Sequence, residues 1–143
     1  MIQGDKYTYP NSGGVLRNKR GLTDARLLDQ AMNDLASAVW AAMSTAPVPA
    51  ILDFSYLQRI HSLMFSRLFD WSGQVRDVDT VAGTTGILYA RPAFIETGLA
   101  EMFTLLARDE SLLSTDDPSD FAYRLSRHWG YLLLVQGTYQ PEN

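Results

Sequence analysis

Two histidines, His61 and His128, are the leading candidates for acid–base chemistry in this chain of 143 residues, which has no cysteine. An imidazole can take a proton near neutral pH and can ligate a metal. Neither ring lies three or four residues from a second ligand in a zinc spacing, so no metal site is expected. Each also has a plain structural role open to it: His61 flanks an apolar stripe, and His128 sits on a helix face. The absence of cysteine excludes a disulfide scaffold, a thiolate metal centre and a cysteine nucleophile together. No Gly-x-Ser-x-Gly elbow and no Gly-rich Walker loop occur. The acidic pairs Asp109-Glu110 and Asp116-Asp117 have the residue types for acid–base work, but neighbours in or beside a loop are expected to be solvated. Arg17, Lys19 and Arg20 have the charge to meet a phosphate, or to form a solvated basic arm.

The elements that must position these groups are mostly helical. Residues 1–22 are polar and turn-rich, running through Tyr9-Pro10-Asn11-Ser12-Gly13-Gly14 and Arg17-Asn18-Lys19-Arg20-Gly21, and read as an N-terminal arm. Thr23 is the expected cap of a first helix, with Asp24 in its first turn. Leu28, Met32, Leu35, Val39 and Met43 form its apolar stripe, and Pro47 and Pro49 end it. A second helix is expected from the cap candidate Asp53, with Leu57, Ile60, Met64 and Leu68 as its stripe. Asp70-Trp71-Ser72-Gly73 breaks it.

Alternation of apolar and polar residues from Val75 to Val81, a turn at Ala82-Gly83-Thr84-Thr85-Gly86 and the run Ile87-Leu88-Tyr89 read as one short β-hairpin. Pro92 opens a third helix carrying Ile95, Leu99, Met102 and Leu106. A fourth starts near Pro118-Ser119-Asp120 and carries Phe121, Leu125, Trp129 and Leu132. It becomes apolar on most sides by Leu134, as the buried centre of a bundle would. A lone hairpin in a helical protein leaves an unpaired edge, and such an edge can accept an extended peptide by strand addition.

Twelve basic against sixteen acidic residues give a net charge of −4, so no broad basic surface for nucleic acid is expected. Hydrophobic residues make up 46% and charged residues 20%, the composition of a globular domain rather than a disordered chain. The longest apolar run, Leu132 to Val135, is far short of the roughly 20 residues that span a bilayer. The first residues lack a signal-peptide pattern. A cytoplasmic protein with no membrane partner is the expectation.

In order along the chain, these pieces resemble the Fic/Doc family. The resemblance is carried by Tyr7-Thr8-Tyr9-Pro10, by Val15-Leu16-Arg17-Asn18-Lys19-Arg20-Gly21-Leu22-Thr23-Asp24 and by Ile60-His61-Ser62-Leu63-Met64-Phe65. It continues through Leu68-Phe69-Asp70-Trp71-Ser72-Gly73-Gln74-Val75-Arg76, Arg91-Pro92-Ala93-Phe94-Ile95 and Phe121-Ala122-Tyr123-Arg124-Leu125 into Trp129-Gly130. The stretch from Phe69 to Arg76 is the most specific. The resemblance implies an all-α bundle with a β-hairpin flap at about Val78 to Tyr89. It also implies AMP transfer from ATP, with magnesium, to a hydroxyl of a target protein held on the flap. Thr80, Val81, Ile87, Leu88 and Tyr89 are then the docking residues. A separate small antitoxin is a further implied partner, since no Ser-x-x-x-Glu-Gly or Ser-x-x-x-Glu-Asn motif occurs within the chain.

The family signature, His-Pro-Phe-x-x-Gly-Asn-Gly-Arg, should begin after Val135. Gln136-Gly137-Thr138-Tyr139-Gln140-Pro141-Glu142-Asn143 stands there instead, with Gln136 at the position of the catalytic His. An amide is no base near neutral pH. The expectation is therefore an N-terminal arm at 1–22 and an incomplete Fic-like domain at 23–143, its C-terminal helices missing. No catalytic residue is assigned, and neither ATP nor magnesium is expected to bind tightly. The alternatives are a pseudoenzyme that captures a target or antitoxin with its flap, or a nonfunctional gene remnant.

Overall fold

The computed structural model describes residues 6–82 and 87–135. The chain forms two compact units: one from the residues up to Ala50 with Leu57–Gln74, the other from Ile51–Tyr56 with the residues from Val75 onward.

In the first unit, residues 6–22 are packed rather than loose. Tyr9 N donates to Val15 O at 2.9 Å and Arg17 N to Tyr7 O at 2.7 Å, around an antiparallel bridge between Thr8 and Leu16. Gly13 and Gly14 turn the chain there with φ of +70° and +100°, a region glycine enters without steric cost. Tyr7, Val15 and Leu16 are buried. Asn18 closes the next turn: its side-chain amide donates to Leu16 O and Leu22 O, and its carbonyl accepts from Leu22 N.

Helix α1 spans Ala25–Met43, and its cap is Asp24, not Thr23. The Asp24 carboxylate accepts from Arg26 N at 2.8 Å and Leu27 N at 3.3 Å, so one side chain satisfies two of the free amides at the helix start. Helix α2 spans Phe54–Phe65. Beyond it Leu68 and Phe69 are fully buried, and Phe69 stacks on Trp71 with centroids 4.6 Å apart. Tyr7 meets the edge of Trp71, so the first segment and the turn after α2 share one aromatic cluster.

In the second unit, Asp53 caps α2 as expected, its carboxylate accepting from Tyr56 N at 2.9 Å. Helix α3 spans Pro92–Arg108, with proline at its start, where a missing N–H costs nothing. Ile95, Leu99 and Met102, three of the four expected stripe residues, are its buried face. With Val135 they form the core, flanked by Phe54, Val75, Tyr131 and Leu132. Helix α4 spans Pro118–Val135, capped by the Asp117 carboxylate on Ser119 N and Asp120 N. Gly98 lets the two helices approach: a Cβ there would lie 3.1 Å from Val135 Cγ2.

The expectation that α4 is buried all round does not hold among the described residues. Phe121, Leu125 and Trp129 are exposed, Trp129 by 58%, and the inward face carries His128, Tyr131 and Val135 instead. Polar side chains on this face are absorbed by partners. Arg124 pairs with Asp120 at 2.9 Å and His128 with Asp109 at 2.8 Å. No described helix is long and apolar enough to cross a membrane.

Between α3 and α4 the chain makes a left-handed turn, with φ of +52° at Glu110 and Ser111 and +63° at Leu112, none of them glycine. Such angles crowd Cβ against the backbone. Ser111→Gly is expected to raise stability by about 0.5–1 kcal/mol, read as a higher urea midpoint at unchanged slope. A lower midpoint would show that the turn carries no strain at this position.

Candidate functional site

The expected hairpin exists in a shorter form. Strand β1, Val81–Ala82, pairs antiparallel with β2, Ile87–Leu88, in the register Val81 to Leu88 and Ala82 to Ile87. Tyr89 N donates to Thr80 O at 3.1 Å and lengthens the ladder by one pair. The alternating run from Val75 to Thr80 is not strand. Its departure has a cause at Arg76, which is 2% exposed. The Arg76 guanidinium donates from Nη1 to Val78 O at 2.7 Å and from Nη2 to Ala90 O. The chain bends around this buried cation instead of running straight into a ladder. Burial lowers the Arg76 pKa, and the nearby Asp79 carboxylate acts the other way.

The register decides which backbone groups face outward. Antiparallel pairs alternate between those that exchange hydrogen bonds and those that do not. Thr80 and Tyr89 are a bonded pair, so Val81 and Leu88 are the next, non-bonded pair. Their N–H and C=O groups therefore point away from the ladder, toward its two edges. Leu88 is also 52% exposed. Thr80 and Tyr89 are half-buried. An outward N–H and C=O beside an exposed leucine is the minimal arrangement for adding a strand. Of the five expected docking residues, all lie on this ladder or at its continuation.

The other candidates are structural. His61 is buried against Phe65 and Trp71, and its Nδ1 accepts from Gly73 N at 3.0 Å. Burial lowers its pKa from 6.5 to about 4. His128 Nε2 bonds Asp109 Oδ2 at 2.8 Å, tying α4 to the end of α3. Lys19 donates to Ser66 O at 2.8 Å and pairs with Asp70 at 3.1 Å, and Arg17 lies over the Tyr9 ring. Arg17 and Lys19 thus bind within their own unit. Of the acidic pairs, Asp109 serves His128 and Asp117 serves as a helix cap. Among the described residues no three His, Asp or Glu side chains gather as metal ligands. Gln136 lies outside the described residues. Arg76 is the residue sequence reasoning passed over: in an alternating run it reads as a solvent-facing strand position.

No protein-family model matches the chain. Similar proteins exist nonetheless. The Escherichia coli (strain K12) protein named "Probable protein adenylyltransferase Fic" is 29% identical over 126 residues, which is 87% of this chain and 60% of that protein. The N-terminal Fic domain of a Bartonella effector protein from Bartonella sp. AR 15-3 matches with a TM-score of 0.85 at 24% identity, over 94% of this chain and 64% of that one. BepC from Bartonella tribocorum, solved with bound AMPPNP, matches with a TM-score of 0.80 at 21% identity, over 94% of this chain and 69% of that one. The chain thus spans about 60% of the length of its Escherichia coli relative. In sequence along most of its length, and in its helical frame, the chain is similar to Fic proteins.

Proposed function

We propose that this chain serves Fic-type protein adenylylation, the transfer of AMP from ATP to a hydroxyl side chain of a target protein, and that its part is to hold the target segment on the hairpin edge. The observation that carries this reading is the outward-facing backbone of Leu88 beside its exposed side chain. Main-chain hydrogen bonds to such an edge give affinity with little demand on target sequence. The names of the relatives supply the reaction class.

In the transfer itself the target hydroxyl oxygen would bond to the α-phosphorus, pyrophosphate would leave, and a base would take the hydroxyl proton. The resemblance puts that base at position 136, where the side chain is an amide. Among the described residues no three His, Asp or Glu side chains gather as a magnesium ligand set. These 143 residues are therefore expected to dock a target segment without transferring AMP, a pseudoenzyme-like behaviour.

Leu88→Pro tests the docking. Proline removes the N–H that points outward and leaves the inward bonds of the ladder in place. A dye-labelled heptapeptide of alternating threonine and valine should bind the unaltered chain and lose tenfold or more in affinity on Leu88→Pro. Equal affinity for both chains would remove the edge as the docking site. Incubation with α-labelled ATP and a bacterial lysate should leave no protein labelled. Labelling that disappears with Leu88→Pro would overturn the expected inactivity.

A further inference from the structure

The two legs of the hairpin are joined by more than their ladder. Val78 precedes β1 by three residues, and Ala90 follows β2 by two. One side chain, Arg76, donates to the carbonyl oxygens of both. We propose that Arg76 is a positioning residue for the flap: its buried guanidinium ties the roots of the two strands together and so sets the edge offered to an incoming strand. This rests on the docking reading of the hairpin.

A two-stranded ribbon has little stability of its own, being marginal in water at best. This ladder has two paired residues per strand with one further bond from Tyr89 N to Thr80 O. A fixed docking edge needs an anchor with geometry of its own. Guanidinium supplies it, because its planar fork presents several N–H donors in fixed directions. One fork can hold two carbonyls at a set separation, while an ammonium on a flexible stem cannot reproduce that spacing. Ala90 also flanks the core of Ile95, Leu99, Met102 and Val135, so the clasp ties the hairpin root to a packed element. Burial sharpens the effect: with Arg76 2% exposed, water does not readily replace the lost donors.

The test uses Arg76→Lys and Arg76→Met in the full chain, read by amide hydrogen exchange and by binding of the threonine–valine heptapeptide. Lysine keeps the charge and one ammonium; methionine keeps the bulk. The Tyr89 amide, bonded to Thr80 O, reports the hairpin, and the Met102 amide reports helix α3. In both variants exchange at Tyr89 should accelerate tenfold or more while exchange at Met102 changes less than twofold, and peptide affinity should fall at least fivefold. If Tyr89 exchanges as in the unaltered chain in both variants, the clasp is refuted. Equal acceleration at Tyr89 and Met102 in both variants also refutes it, since Arg76 would then serve global stability alone. Should methionine unfold the chain, the lysine variant decides by the same two amides. Absence of peptide binding to the unaltered chain refutes the docking reading, whereas the exchange result judges the clasp independently.

Discussion

Gly73→Ala is expected to lower stability by about 3 kcal/mol, the largest loss foreseen for an alanine at any of the described glycines. Two costs combine. Gly73 has φ of +80°, where an L side chain crowds its own backbone at roughly 1–2 kcal/mol. A Cβ there would also stand 2.9 Å from Gln58 O and 3.1 Å from Ser62 Cβ. The first of these is helix backbone and cannot swing aside, so overpacking adds about 1–3 kcal/mol. Relief by shifting the turn would break bonds on both sides of the glycine. Its N–H donates to His61 Nδ1 at 3.0 Å, and its carbonyl accepts from Gln58 Nε2 at 2.9 Å. Against a typical net stability of about 5–15 kcal/mol the loss is large. Gly130→Ala is the control: this glycine lies in α4, nothing stands within 4 Å of its added Cβ, and alanine should be neutral or stabilising by up to about 1 kcal/mol. Urea unfolding of the two variants should give shifts of opposite sign. A Gly73→Ala midpoint within error of the unaltered chain would show that the turn yields without cost.

How far the sequence revealed this arrangement depends on whether a feature is encoded locally. Helix α3 is legible because each of its signals lies on the element itself: proline at the start, then Ile95, Leu99 and Met102 at helical spacing. The cap at Asp53 is legible for the same reason. Thr23 and Asp24 are both good capping types side by side, and only backbone geometry separates them. The inward face of α4 is hidden for a different reason. Hydrophobicity points to Phe121, Leu125 and Trp129, but the packed face runs through His128 because Asp109, nineteen residues earlier, supplies its partner. A pairing across that distance leaves no periodic trace.

The hairpin shows both limits at once. Its ladder residues were readable from β-branched and turn residues. Its span is shorter than the alternation suggests, because Arg76 fits an alternating pattern perfectly well as a polar position. Its partners, the carbonyls of Val78 and Ala90, are backbone groups that every residue carries. A bond to a backbone carbonyl has no complementary residue type to betray it. The hairpin is therefore legible in composition and order, while the Arg76 bonds at its root are not.

His61 carries the second large effect, a loss of about 3 kcal/mol of stability as pH falls from about 7 to about 4. In the unfolded chain the imidazole titrates near 6.5; in the folded chain burial lowers its pKa to about 4. Between those values the unfolded state binds a proton and the native state does not. Stability then rises with pH across that window: the full contribution is present above about pH 6.5, is lost progressively on acidification, and levels off below about pH 4. The bonding explains why the native site refuses the proton. Nδ1 already accepts from Gly73 N, so a proton placed on it would set two donors against each other within an aromatic wall of Phe65 and Trp71. Carboxylates titrate in the lower part of the same range, so the test is a difference. Urea stabilities of the unaltered chain and His61→Asn, measured at pH 7, 6, 5 and 4.5, should converge as pH falls, because asparagine keeps an acceptor but cannot be charged. Parallel curves would mean that His61 takes up its proton alike in both states, and the turn at Gly73 would then owe nothing to a neutral ring.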